Sequence, residues 1–477
     1  MNTRLPSLLL VAFGLFVLNG CTSLPSVGPD YEEPTVEMPD AWHESVQEDL
    51  ADGEPDLKTW WTVFNDETLN ELIDRASTNN LDLKTAAARV EQAAALRGVS
   101  ASQWWPEIVA GAGASAFQTS VAQTPSGSDR RGELYEAGLG MAWELDLWGR
   151  VRRSVESSDA SLQASVENYR DIMVVLYANI AANYINARTL QERLSFATNN
   201  LEAQDKTLKL TLNRFDAGLV PALDVSQAKL NRFRTESAIP QLRQTLVETI
   251  NRLSVLTGQM PYALEQELMK TKPIPHPRRE VVAGLPAELL RQRPDIRRAE
   301  RELAAQNALI GATQAELYPT LTLPGTLTVQ SPNGNLFDGA NVAYGFGPQL
   351  KWSIFNGRRV RSQVDAERAA TKVALHSYEQ TILLALEEVE GAMAAFAYEN
   401  DRVSFLEEAE ASANKSVQLV TELYKSGLTD FQNVLNMEQA LLEQQDQLAT
   451  SRGRISANLV AIYKALGGGW APPAEIE

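Results

Sequence analysis

Apolar side chains fall on every second position from Tyr135 through Ala137, Leu139, Met141, Trp143 and Leu145 to Leu147, with Glu136, Glu144 and Asp146 between them. This spacing predicts a strand with one apolar and one polar face. Beyond Arg150 the period changes. Leu162, Val166, Tyr169, Met173, Leu176 and Ile180 alternate steps of four and three, and Tyr184, Ala187, Leu194, Ala197, Leu201, Leu208 and Leu212 extend the stripe. That is coiled-coil spacing, and from Arg150 to Leu212 it predicts a helix roughly 95 Å long, far more than a compact domain needs. Gly218 is placed to end it, and Pro221 suits the first turn of a helix returning to about Leu256.

Upstream, a short helix is predicted over Asp66 to Thr78 and an alanine-rich one from Leu81 to about Gln103, stopped by Trp104-Trp105-Pro106. Residues 107–118 alternate weakly and read as the partner strand, joined to the first by a polar loop, Thr119 to Gly132. The same parts then recur: a helix from about Pro294 to Leu317, a strand with Leu321, Leu323, Leu327 and Val329 on one face, and a loop at Pro332-Asn333-Gly334. A strand with Val342, Tyr344, Phe346, Leu350, Trp352 and Ile354 on one face follows, then a helix from about Arg358 to Tyr424, a turn at Gly427, and a helix from Asp430 to about Leu466. Thr429 and Gln432 have the spacing of a capping box. Gly218 and Gly427 lie 209 positions apart, as do Gly258 and Gly467, which predicts an internal duplication. The expected organisation is a signal segment 1–20, an extended strap 21–65, a first repeat 66–258, a Pro-rich linker 259–285, a second repeat 286–467 and a tail 468–477.

The signal segment has Arg4 at its start and an apolar run, Leu8 to Leu18, too short to span a bilayer. Leu18-Asn19-Gly20-Cys21 then resembles the lipobox of bacterial lipoproteins, making Cys21, the chain's only cysteine, the expected lipidation site. Disulfides within a subunit are thereby excluded. A net charge of −18 argues against a phosphate backbone as partner, so no nucleic acid is expected. The three histidines, at 43, 276 and 376, are too scattered for a metal site. Ser412-Ala413-Asn414-Lys415 fits an S-x-x-K pattern but falls inside a long predicted helix without companion motifs. Neither a catalytic centre nor a cofactor is expected.

Outside the signal no apolar run reaches the length of a membrane-spanning helix, whereas four one-sided strands of about ten residues match a transmembrane β-strand. Tyr135, Trp143, Trp148, Tyr344 and Trp352, near predicted strand ends, read as interfacial aromatic residues. Four strands cannot close a barrel, and an open edge cannot sit in lipid, so a barrel must be shared among subunits. Dimers, trimers and tetramers all remain open at this point. The competing reading is a lipid-anchored periplasmic coiled-coil structural protein that never crosses the membrane.

Five stretches in order resemble the outer membrane factor (TolC) family, in its OprM- or NodT-like lipoprotein branch. They are Cys21, Val27-Gly28-Pro29-Asp30-Tyr31, Trp143-Glu144-Leu145-Asp146-Leu147-Trp148-Gly149-Arg150, Leu285-Pro286 through Arg293-Pro294-Asp295-Ile296, and Lys464-Ala465-Leu466-Gly467-Gly468-Gly469-Trp470. The resemblance implies a mixed α and β fold: a homotrimer with a twelve-stranded transmembrane β-barrel continued by a long α-helical coiled-coil barrel, and a collar built from the termini and the linker. It implies the outer membrane channel of a tripartite efflux system for drugs or other small molecules, with a periplasmic adaptor and an inner-membrane pump of the RND type as partners. Channels of metal efflux or type I secretion belong to the same family and stay as alternatives. Adaptor docking maps to Gly218-Leu219-Val220 and Gly427-Leu428-Thr429, and the periplasmic aperture to Tyr424, its repeat partner Phe215, Leu423 and Asn436. The branch commonly has an Arg before that Tyr and an Asp further along, where this chain has Leu423 and Asn436, so a closure resting on packing is expected.

Overall fold

The computed structural model describes residues 26–36, 50–52, 57–123, 129–276, 281–283, 292–336 and 338–470. The signal segment, Cys21, His43, Pro125, Gly127, Ser128, Pro277, Leu285, Pro286 and the tail beyond Trp470 lie outside them. The strands are β1 (Leu50–Asp52), β2 (Glu107–Gln118), β3 (Arg131–Ala142), β4 (Glu144–Leu145), β5 (Val281–Ala283), β6 (Thr320–Thr322), β7 (Gly325–Ser331), β8 (Val342–Phe346) and β9 (Gln349–Lys351). The helices are α1 (Glu67–Asn79), α2 (Leu81–Ser102), α3 (Arg150–Asp216), α4 (Ala222–Leu256), α5 (Glu265–Leu268), α6 (Pro294–Ala315), α7 (Arg359–Lys425) and α8 (Phe431–Ala465). The long helices α3 and α7 have 67 residues each and the returning helices α4 and α8 have 35 each. The chain forms two compact units, one from Met1–Thr35, Arg89–Ser165 and Arg298–Tyr378, the other from Val36–Ala88, Val166–Arg297 and Glu379–Glu477.

The first unit holds an antiparallel sheet in the order β2-β3-β7-β8 and a second in the order β4-β6-β9. Three of the four expected strands are thus interrupted, at Trp143, at Leu323-Pro324 and at Gly347-Pro348. Pro324 and Pro348 have no N–H to give the ladder. Two bonds bridge the breaks, from the Leu323 N–H to the Trp143 carbonyl at 2.7 Å and, at the long limit of 3.5 Å, from the Gly347 N–H to the Pro324 carbonyl. Register puts Ala110, Leu139, Leu327 and Tyr344 in one row across the four strands, with Ile108, Met141, Gly325 and Phe346 in the next. This face is open: Tyr344 is 85% exposed and Phe346 72%. The opposite face carries Gly111, Gly138, Thr328 and Ala343 in one row and Val109, Gly140, Thr326 and Gly345 in the next, so its side chains are small, with threonine hydroxyls among them. Tyr344 lies in the middle of β8 rather than at a strand end, which removes it from the expected aromatic rim.

Below the sheet, the turn into α3 explains one of the sequence stretches. The Asp146 carboxylate accepts the N–H groups of Val151 and Arg152, both at 3.0 Å, and so caps the helix. Arg150 grips Glu144 with two bonds of 2.8 Å. Two tryptophans related by the 209-residue offset clamp the strands to the preceding helices in the same way: Trp143 donates its indole N–H to the Trp104 carbonyl and Trp352 to the Leu317 carbonyl, each at 3.1 Å. The strap is pinned to this unit at Val27, whose N–H donates to the Trp148 carbonyl, and at Asp30, paired with Arg153 at 2.5 Å. Between them Gly28 lies against Gly311, where a side chain on either would collide with backbone.

The second unit's core is aromatic at one level. Trp60 stacks on Tyr463 at 5.4 Å, and Trp61 meets the edge of Tyr177 at 5.1 Å. Arg293 is buried beside Asp295 and Glu388 and donates to the Ala465 carbonyl at the end of α8, while Lys464 binds Glu388 at 2.8 Å. Trp470 lies against the guanidinium groups of Arg170 and Arg297. The strap and linker also meet here, with β1 parallel to β5.

Candidate functional site: the ends of the long helices

Within the second unit, α3 and α7 end in matching turns. Gly218 has φ +72° and Gly427 φ +73°, a left-handed conformation that glycine adopts without penalty. The N–H of Gly218 donates to the Phe215 carbonyl and that of Leu219 to the Arg214 carbonyl; Gly427 and Leu428 repeat the pattern onto Tyr424 and Leu423. These are Schellman closures, which satisfy the last carbonyls of each helix. They leave Leu219 66% and Leu428 75% exposed at the tips. Val220 instead packs inward, against a cluster of Ala228, Val420, Tyr424, Phe431, Val434 and Leu435. The capping box expected at Thr429 and Gln432 does not form: Asp430 is the N-cap without a side-chain bond, the Thr429 hydroxyl accepts from the Asn433 amide, and Gln432 is engaged with Gln227 and Asn436. Neighbouring amides outcompete the local bond.

The expected aperture residues separate. Tyr424 is 1% exposed and packs edge-on against Phe431 at 5.5 Å, and its burial raises the phenol pKa. Phe215 and Leu423 are 41% and 45% exposed, and Asn436 is exposed as well. Phe215 and Tyr424, 209 positions apart, are therefore placed differently.

Arg214 accounts for the asymmetry, and sequence reasoning passed over it. Its guanidinium lies 4.7 Å from the centre of the Tyr424 ring and donates to the carbonyls of Tyr424 and Lys425, the last of α7. Arg214 lies 209 positions before Leu423, and that offset was the signal that would have found it. A cation at the negative end of a helix is favourable, so the clasp ties α3 to α7. Asp224 stands nearby with its carboxyl pushed up by burial and by Asp430, an effect that Arg214 opposes.

Two turns along α8, Glu438 is 5% exposed. It accepts hydrogen bonds from the Thr207 hydroxyl at 2.7 Å and the Asn231 amide at 2.9 Å, so it joins α3, α4 and α8 without a cationic partner. A charge on the apolar stripe between Val434 and Leu441 was its sequence signal. Burial raises its pKa. A carboxyl that holds its proton more tightly when folded stabilises the protein at low pH and loses that contribution as pH rises through the folded value. In thermal unfolding of the purified protein, the Glu438 contribution to stability should therefore fall as pH rises above the ordinary carboxylate range. Glu438→Gln should flatten that slope, since the Thr207 hydroxyl can turn to accept from the new amide; equal slopes in both proteins would remove Glu438 as the cause.

Against this geometry, the outer membrane efflux protein description matches residues 72–259 and 285–468, one segment for each half. The chain belongs to that family. It is 30% identical over 470 residues to nodulation protein T of Rhizobium leguminosarum bv. trifolii, with 97% of each chain covered. It is 30% identical over 473 residues to the toluene efflux pump outer membrane protein TtgI of Pseudomonas putida, covering 97% of this chain and 98% of that one. The solved outer-membrane channel OprN superposes with a TM-score of 0.86 at 35% identity, over 94% of this chain and 100% of that one. As an outer membrane efflux protein the chain is the outer membrane channel of an efflux system, and its family is one of channels rather than enzymes. Among the described residues no helix is long and apolar enough to cross a membrane.

Proposed function

We propose that the protein is a homotrimeric export duct whose three four-stranded sheets close one twelve-stranded barrel. The observation that carries this is the first unit's sheet. It has a face of mostly apolar side chains that is open at Ile108, Leu139, Leu327, Tyr344 and Phe346, an opposite face made largely of Gly, Ala and Thr, and edge strands β2 and β8 each unpaired on one side among the described residues. Backbone groups left open in lipid would cost several kcal/mol each, so the edges must meet those of other copies. The long helices carry a matching signal in the second unit. Leu384, Tyr398, Phe405 and Leu419 are exposed on α7 at multiples of seven residues, and Leu223, Leu230 and Phe233 are exposed on α4. Heptad spacing on an uncovered face suits helices of neighbouring subunits packed side by side. The duplicated halves then continue the barrel as a helical tunnel into the periplasm.

At the tunnel end, Leu219 and Leu428 offer apolar tips to a periplasmic adaptor, with Gly218, Val220, Gly427 and Thr429 shaping the turns; an inner-membrane pump of the RND type supplies the energy. The aperture is closed by packing around Tyr424 and by the Arg214 clasp, with Phe215, Leu423 and Asn436 facing the opening. The relatives' association with solvent efflux suits small apolar cargo, selected by the pump. Cys21 is the lipid attachment point: five residues before Ser26 reach at most about 18 Å, which keeps an acyl chain close to the foot of the sheet where Val27 is pinned.

The test is the mass of the mature protein purified in detergent, by light scattering corrected for bound detergent. Three times the chain mass is the expected result. A monomer soluble without detergent would sink the duct and favour a periplasmic coiled-coil protein.

A further inference from the structure

The two sheet-to-helix junctions of the first unit are copies, but their charges are not. The 209-residue offset aligns Glu144 with Ser353, Asp146 with Phe355, Gly149 with Arg358, Arg150 with Arg359 and Arg152 with Arg361. In the first copy each arginine has an acid: Arg150 binds Glu144, and Arg152 binds Asp146 at 3.1 Å. In the second copy both acids are gone and the arginines remain. From Leu350 to Ser362 there are four cations, Lys351, Arg358, Arg359 and Arg361, and no Asp or Glu, in a chain of net charge −18. Among the described residues Arg359 reaches only the Gln363 amide oxygen at 2.9 Å and the Glu316 carboxylate at 3.9 Å. Arg358 and Arg361 are exposed, and neither makes a side-chain hydrogen bond or ion pair among the described residues.

The backbone makes the contrast sharper. Gly149 has φ +84°, and its counterpart Arg358 adopts φ +69°, where a Cβ is penalised. The fold at this position calls for glycine and the chain supplies a cation. Beside it Ile354 is 83% and Phe355 91% exposed, continuing the open apolar side of Leu350 and Trp352. A fold that stood alone would gain nothing from three arginines next to a bare phenylalanine.

We propose that this second junction is a binding site for an anionic phospholipid of the periplasmic leaflet, its phosphate held by Arg358, Arg359 and Arg361 and its acyl chains lying on Phe355, Ile354 and Trp352. The patch is continuous with the sheet's lipid-facing side and lies at its helical end, where headgroups of that leaflet would meet it; the inference thus rests on the barrel reading above. Guanidinium groups bind phosphate oxygens two at a time, and cations at an anionic surface add to the attraction of the apolar patch. The first junction, with its arginines already neutralised and Asp146 in place of Phe355, lacks such a site.

The experiment is native mass spectrometry of the purified channel, titrated in detergent with phosphatidylglycerol or phosphatidylcholine. The wild type should retain phosphatidylglycerol preferentially, and R358G/R361Q should lose about fivefold in apparent affinity for each arginine removed. R358G relieves the backbone, so the variant is expected to fold. Ser353→Glu, which restores the missing acid, should weaken retention without removing any arginine. Equal retention of both lipids by the wild type, or undiminished phosphatidylglycerol in R358G/R361Q, overturns the inference. Unchanged lipid together with earlier dissociation of the subunits overturns it too, and assigns the arginines to acids of a neighbouring copy. Insertion of the wild type into phosphatidylcholine vesicles, seen as heat-modifiable migration, is measured in parallel. Failure to insert overturns the barrel and this site together, whereas insertion without lipid preference overturns this site alone.

Discussion

Leu139→Arg should destabilise the assembled channel by about 2–4 kcal/mol per subunit, the cost of an arginine near the midplane of a barrel's lipid face. Leu139 lies in the central row of the sheet between Ala110 and Leu327, on the face where Tyr344 is bare. Thr326, one residue from Leu327 and opposite Gly140, belongs to the other face. Thr326→Arg should leave stability within about 0.5 kcal/mol, as for other surface changes, and should instead shift conductance and charge selectivity. Urea unfolding in lipid vesicles measures the first effect and single-channel recording the second. If both substitutions cost the same, the two faces are not lipid and lumen, and the barrel must be abandoned.

Arg214→Ala should open the tunnel end. Hydrogen bonds from a charged group contribute about 1.5–3 kcal/mol and a cation over an aromatic ring about 0.5–2 kcal/mol, and the clasp has both. A loss of about 2–3 kcal/mol multiplies the equilibrium for parting α3 from α7 by roughly 30-fold or more. Closed-channel conductance in planar bilayers should rise accordingly. Arg214→Lys should recover only part of the closure, because an ammonium cannot stack on Tyr424 while bridging two carbonyls. Conductance unchanged in Arg214→Ala would show that the cluster around Phe431 and Val434 holds the end shut without it.

Much of this fold was legible in periodicity. The long helices and their turns at Gly218 and Gly427 follow from a stripe of apolar residues and two glycines. Periodicity reports the face a residue occupies and nothing about what stands opposite. Hence the strand breaks escaped notice: Pro324, Pro348 and Trp143 act together only because register aligns them at one level. The candidate site was read less well for the same reason. The position of Tyr424 was visible, but its burial depends on Arg214 and Phe431, which reach it from a different helix and a different half. Glu438 and the buried Arg188, which donates to the Leu268 and Lys270 carbonyls, sat in plain view as charges on apolar stripes. The stripe was read for its regularity, and the exceptions were the informative positions.

The bond from the Gly469 N–H to the Leu57 carbonyl, 2.7 Å long, joins residues far apart in the sequence. A ribosome makes Leu57 long before Gly469. The ring of Trp60 can therefore wait only half covered until Tyr463 arrives to stack on it and Gly468 closes over its edge. Closing so large a loop is slow, and it cannot start on an unfinished polypeptide. The aromatic cluster therefore closes late: a chain still short of Gly469 would keep Trp60 open to proteases and chaperones.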